Sequence, residues 1–158
     1  MIAGKIKTWN QIQSLVAKLR AEKKSIVFSN GCFDLIHAGH VLYLQQAHTL
    51  GDVLIIGLNS DAGVRRLKGD SRPIVEQVNR AIVLAALQSV DYVVIFEEDT
   101  PYELIKLIQP DVLVKGGDWK TDQIVGADIV ISRGGRVESI AFNEGLSSSN
   151  IIARIKGL

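Results

Sequence analysis

The run Asn30-Gly31-Cys32-Phe33-Asp34-Leu35-Ile36-His37-Ala38-Gly39-His40 sets two imidazoles three residues apart around a glycine, where an apolar run gives way to a helical pattern. That spacing puts both rings on one side of a first helical turn. The unpaired amides of a helix start favour anions, and a glycine at position 39 leaves the backbone open to a phosphate. Imidazoles placed there can donate hydrogen bonds to phosphoryl oxygens and stabilise the charge that builds up during displacement at phosphorus. A histidine pair at this spacing can also ligate a metal, but Cys32 and Asp34 nearby do not make a convincing remainder of a ligand set. Nothing in the sequence marks a partner that would turn Cys32 into a thiolate nucleophile.

Three other stretches carry groups suited to phosphate or nucleotide chemistry. Arg65-Arg66-Leu67-Lys68-Gly69-Asp70-Ser71-Arg72-Pro73 brings four cations into a Gly/Pro-punctuated segment, which reads as a loop able to clamp phosphates. A solvated helix end followed by a turn is the plainer alternative, and Arg80 on the next helix has the same ambiguity. In Lys115-Gly116-Gly117-Asp118-Trp119 the glycines let backbone approach a flat ligand, and Asp118 can accept from ribose hydroxyls or cap a turn. Gly145-Leu146-Ser147-Ser148-Ser149-Asn150 offers three hydroxyls at a helix start, more than one N-cap needs. The patterns G-x-x-x-x-G-K-[ST], G-x-G-x-x-G after a strand and G-x-S-x-G are absent.

The elements that must position these groups alternate along the chain. Trp9, Ile12, Leu15, Val16 and Leu19 predict an amphipathic helix within residues 8–24, expected to pack outside the main core. Apolar runs predict strands at 25–30, 52–58, 91–96, 111–115 and 137–142. Helices are predicted at 38–50, 75–87, 101–108 and 147–155, with a further short apolar segment at 127–132. The pattern predicts an α/β fold: one Rossmann-like, doubly wound parallel sheet with flanking helices, binding ligands at the carboxyl ends of its strands. Residues 1–24 form a helical extension packed on a domain of residues 25–158.

Composition narrows the class. The 158 residues carry 18 Lys+Arg against 17 Asp+Glu, a net charge of +1, so no global basic field exists to hold a nucleic-acid backbone. No apolar run approaches a membrane span and the N-terminus lacks a secretory pattern, so a cytoplasmic protein with no membrane partner is expected. The single Cys32 excludes an intrachain disulfide.

Together the motifs resemble the nucleotidyltransferases with an H-x-G-H signature, and within them the branch that adenylylates heptose 1-phosphates. The resemblance rests on Ser29 to His40, Asn59-Ser60-Asp61, Leu67 to Ile74, Phe96 to Pro101, Val114 to Trp119 and Asn150-Ile151-Ile152, and spans roughly residues 25 to 156. It implies in-line attack of D-glycero-β-D-manno-heptose 1-phosphate on the α-phosphorus of ATP, giving ADP-heptose and pyrophosphate for surface polysaccharide, with lipopolysaccharide the commoner destination. Mg²⁺ would accompany ATP, with no metal site of the protein's own.

By the same resemblance His37, His40 and Lys68 would be catalytic, stabilising charge on the phosphates. Asn30, Gly31, Cys32, Phe33, Arg80, Gly116, Gly117, Asp118, Ser147, Ser148 and Ser149 would bind the nucleotide. The family usually ends its last motif in Ser-Thr-Thr, and the serines here keep those hydroxyls. The alternative is a cytidylyltransferase acting on glycerol 3-phosphate or a similar small ester; that branch carries an arginine where this chain has Phe142, which argues for ATP. A nucleotide-binding regulatory domain and a metal-dependent hydrolase are the rivals from other classes. Relatives also imply a homodimer or higher homo-oligomer, with Trp9 offering apolar surface, and a stand-alone enzyme whose phosphorylated heptose comes from another protein.

Overall fold

Val/Ile-rich runs bounded by turn residues form the strands of the computed structural model, which describes residues 1–141 and 147–157. The elements are β1 (Ile6–Lys7), α1 (Trp9–Ala21), β2 (Ile26–Gly31), α2 (Ala38–His48), β3 (Val53–Asn59), α3 (Asp61–Lys68) and α4 (Gln77–Ala86). There follow β4 (Tyr92–Phe96), α5 (Tyr102–Ile108), β5 (Val112–Gly116), α6 (Ala127–Ser132), β6 (Arg136–Ile140) and α7 (Ser148–Lys156). All strand pairs are parallel, in the order β1-β4-β3-β2-β5-β6. This is the doubly wound α/β sheet expected.

Alternate residues of each strand feed two apolar layers. Ile26, Phe28, Ile55, Val94 and Leu113 face α1, α5 and α6, whereas Val27, Leu54, Ile56, Val93 and Val114 face α2 and α4. Every residue of β3 is buried, as a central parallel strand covered on both faces requires.

Three local expectations change. The first helix does not lie outside the core: Ile12, Val16 and Leu19 are at most 7% exposed and belong to the first layer. The cause is β1, which pairs with β4 and extends the sheet, so α1 returns over its face beside α5. Arg20 fixes it there, donating to the carbonyls of Ile108 and Gln109 at the end of α5. Second, Arg65 to Lys68 are the last turn of α3 rather than loop, and only Gly69 to Pro73 remain irregular. Ser60 caps that helix by accepting from the Gly63 amide at 3.1 Å; the charge-rich sequence hides the single buried apolar residue, Val64, that anchors it. Third, the apolar segment at 127–132 is the short helix α6. Phe142 and Gly145, used above to separate ATP from CTP and to define the last motif, lie outside the described residues.

Candidate functional site

In this strand order β2 and β5 are neighbours whose connections leave in opposite directions, α2 toward β3 and α6 toward β6. Such a switch point opens a crevice at the carboxyl ends of the strands. Here the crevice divides into two cavities that share Asn30, Gly31, Cys32 and Lys115. One, of about 190 Å³, contains His40, Lys68, Arg72 and Ser148; the other, of about 270 Å³, contains Asn59, Asp99, Trp119 and Gln123.

Local packing sets the turn after β2. Phe33 takes a φ of +44°, a left-handed conformation uncommon for a bulky residue, and its ring folds back over Gly31. A Cβ at Gly31 would stand 2.9 Å from that ring, so any larger residue there would displace it. The ring also braces His40 at a centroid separation of 5.3 Å, and His40 stacks on His37 at 4.0 Å. Both Nδ1 atoms are buried without a hydrogen-bond partner among the described residues. Burial, then the charges of His37 and Lys68, lower the His40 pKa to about 4, and burial lowers that of His37. At neutral pH both rings therefore favour the uncharged form, and His40 lines the smaller cavity.

Positive charge comes from elsewhere. Lys68 stands exposed at the cavity mouth on the last turn of α3, and Lys115 stands at the wall between the cavities. Burial lowers the Lys115 pKa, while Cys32 acts the other way. Arg72 is clamped by Asp34: its Nε donates at 2.5 Å, leaving Nη2 buried and unpartnered in the described residues. Asp34 also accepts from the Ile74 and Val75 amides at 2.9 Å, which ties the segment after Lys68 to the turn before His37. Burial pushes the Asp34 carboxyl up, but the Val75 and Ile74 amides and Arg72 outweigh it and hold its pKa below the ordinary value.

The sequence-selected residues fall into three groups. Asn30, Gly31, Cys32, Phe33, His40, Lys68, Gly116 and Ser148 line the smaller cavity, with His37 stacked against it. Arg80 stands behind it, its guanidinium fully buried and donating to the Val75 and Cys32 carbonyls and to Asp61 Oδ1 at 2.8 Å. Gly117, Asp118, Ser147 and Ser149 line neither cavity. Ser147 caps α7 by accepting from the Asn150 amide, Ser148 donates to the Leu35 carbonyl, and Ser149 and Asp118 are exposed.

Sequence reasoning gave no site role to Asp34, Lys115, Asn59 or Trp119. Asp34 and Lys115 sat inside quoted motifs, and Asn59 ends an apolar run, the usual place for a polar residue in an α/β site.

Comparisons with known proteins bear on the family and the fold. The family model described as cytidylyltransferase-like matches residues 28–154. "Bifunctional protein HldE" of Pelobacter propionicus is 56% identical over 152 residues, covering 96% of this chain and 31% of the relative. The protein of that name from Aliarcobacter butzleri is 56% identical over 151 residues with the same coverages. The chain thus spans about a third of the length of these curated relatives. Among solved structures, a lipopolysaccharide core biosynthesis protein from Thermoplasma volcanium aligns with a TM-score of 0.60 at 25% identity, covering 76% of this chain and 97% of that one. Pantoate-beta-alanine ligase from Francisella tularensis shares the fold, with a TM-score of 0.60 at 15% identity over 96% of this chain and 76% of its own.

Proposed function

We propose, from the premise that this chain belongs to the cytidylyltransferase-like family, that it transfers the adenylyl group of MgATP to D-glycero-β-D-manno-heptose 1-phosphate and releases pyrophosphate. The observation that carries the reading is His40, stacked on His37, lining one cavity with Lys68 and Arg72 at the switch point. The identity with HldE relatives over nearly the whole chain supports the same assignment.

The chemistry asks for no general base. A phosphate monoester has a second pKa of about 6, so the attacking oxygen is already ionised at neutral pH. What the displacement needs is positioning and stabilisation of negative charge on the α-phosphoryl oxygens and the departing pyrophosphate. His40 and His37 donate hydrogen bonds, Lys68 and Lys115 bring charge, and the α7 N-terminus with Ser147, Ser148 and Ser149 receives the outer phosphates. Arg80 acts on the nucleotide through the Cys32 carbonyl that it holds. Gly116 and Gly117 let the backbone approach the nucleoside, and Asp118 accepts from its ribose. The donor set suits a cation carried by the substrate. Asp34, the one carboxylate lining the smaller cavity among the described residues, is engaged by Arg72 and two amides, so Mg²⁺ would be held by oxygens of the triphosphate and water rather than by the protein.

The test is pyrophosphate release with ATP or CTP against both anomers of heptose 1-phosphate, glycerol 3-phosphate and phosphoethanolamine. Release is expected with ATP and the β-anomer. Release confined to CTP and glycerol 3-phosphate would replace the reading with the cytidylyltransferase one. ATP binding with no release on any ester would point to a regulatory domain. No described helix is long and apolar enough to cross a membrane, and the substrates proposed are those of the cytoplasm.

A further inference from the structure

Helix α4 lies at the surface, yet it presents no charged side chain there. Of its ten residues, Gln77 to Ala86, only Arg80 carries a charge, and that side chain is buried. Val78 and Ile82, one turn apart on the same side, are 60% and 43% exposed, and Ile74, 55% exposed, precedes them. Beside this apolar ridge runs a hollow of about 370 Å³ between α4 and α7, walled by Ile36, Val75, Val83, Ile151 and Ile155. Its two charged lining residues are buried and already paired, Asp34 with Arg72 and Arg80 with Asp61. Val83 and Ile155 are themselves 44% and 60% exposed, so ridge and hollow form one aliphatic patch of the kind that marks a contact surface.

The patch fits a second copy of itself. A two-fold contact presses the same surface together from both sides, so that surface must be complementary to itself. A ridge flanked by a hollow meets this in shape, because each ridge can enter the other copy's hollow. Charge then selects the direction. Both helices start on the side of the candidate site: Val75, just before α4, donates its amide to Asp34, and Ser148, the first residue of α7, lines the smaller cavity. Exposed Glu76 stands at the starting end of α4, and exposed Arg154 and Lys156 flank Ile155 at the far end of α7. A two-fold axis along the helices would set acid against acid and base against base. An axis across them runs the helices antiparallel and turns the Glu76 end of each copy onto the basic end of the other. A membrane surface would instead ask for cations around the whole apolar face, and Glu76 breaks that rim.

We propose that the α4–α7 face is the interface of a two-fold homodimer, in which Val78 and Ile82 of each copy enter the hollow between Val83 and Ile155 of the other and Glu76 lies against Arg154 and Lys156 across the contact. The contact lies on the outer side of the helix whose Arg80 holds the Cys32 carbonyl, and it does not depend on the reaction assigned.

Sedimentation velocity of the full chain across the micromolar range tests this, with circular dichroism and urea unfolding for each variant. The wild type is expected to dimerise. Val78→Asp and Ile155→Asp, at exposed positions on different helices, are each expected to raise the dissociation constant by about tenfold or more, because each removes apolar burial and brings a charge into the contact from both copies at once. Two positions keep the test open if one variant loses its fold. Glu76→Lys is expected to weaken the dimer by about fivefold, as is Arg154→Glu with Lys156→Glu, and the three changes together are expected to return it to within about twofold of the wild type. A wild type that stays monomeric overturns the proposal, and so does a dimer that persists in both Asp variants. A combined variant weaker than either charge reversal overturns the antiparallel contact.

Discussion

His40 concentrates the chemistry at the residue scale, and its predictions follow from its surroundings. His40→Ala is expected to lower turnover by about 10²–10⁴, with an unchanged circular dichroism spectrum, because the ring braces against Phe33 and His37 without belonging to the sheet core. A loss of only about tenfold would mean that the imidazole does not meet the reacting phosphate. Its pKa of about 4, depressed by burial and by its charged neighbours, also links protonation to stability. The folded chain binds that proton less readily than the unfolded chain, whose histidines titrate near about 6.5. Stability is therefore unaffected by this group above that value and falls progressively as pH drops from there toward about 4. Urea unfolding across that window is expected to give a steeper acid loss for the wild type than for His40→Asn, and equal slopes would contradict the buried neutral ring.

Arg80 shows at the element scale how helices hold the site from behind. Its guanidinium joins α4 to the Cys32 carbonyl and, through Asp61, to the start of α3. Lysine offers a point charge that cannot span three acceptors. Arg80→Lys is expected to raise the KM for ATP and to cost about 1–3 kcal/mol of stability for the acceptors left unpaired, read by steady-state kinetics and urea titration together. An unchanged KM with the same stability loss would confine Arg80 to the fold. The helix α1 makes a contrasting case. Ile12 is fully buried against the sheet, so Ile12→Ala is expected to cost about 2–5 kcal/mol in urea while pyrophosphate release per folded molecule stays at the wild-type rate. A stability change below about 0.5 kcal/mol would mean that α1 does not share the core.

Over the whole molecule, a near-neutral chain must gather its positive field locally, and the switch point does so by bringing Lys68, Arg72 and Lys115 from α3, the turn after it and β5 to one cavity. The homo-oligomer that the family resemblance implies would not rest on a free Trp9: its ring packs on the first apolar layer and its Nε1 donates to the Ile95 carbonyl at 3.0 Å. Sedimentation velocity is expected to show a dimer or larger species at micromolar concentration that Trp9→Phe does not dissociate. A monomer at all concentrations would remove oligomerisation from the reading.

Much of this was legible in the residues. Val/Ile runs ended by Gly31, Asn59 and Gly116 mark buried parallel strands because only a strand covered on both faces is apolar at every position. The His37–His40 spacing marks two rings that meet, because i and i+3 share one side of a helix start, and the rings do stack at 4.0 Å. The sequence alone therefore determined the fold class and eight of the twelve residues that line the smaller cavity. It could not determine that α1 is core, since that depends on β1 pairing with β4, a contact between segments more than eighty residues apart. Nor could it tell that Arg80 turns inward while Arg72, eight positions earlier, lines the cavity with one buried nitrogen unpartnered among the described residues. Two arginines have the same propensity and charge. Which one lines the cavity and which one stands behind it is decided by the partners that folding brings to each, and Asp34, Asp61 and the Cys32 carbonyl meet them only in three dimensions.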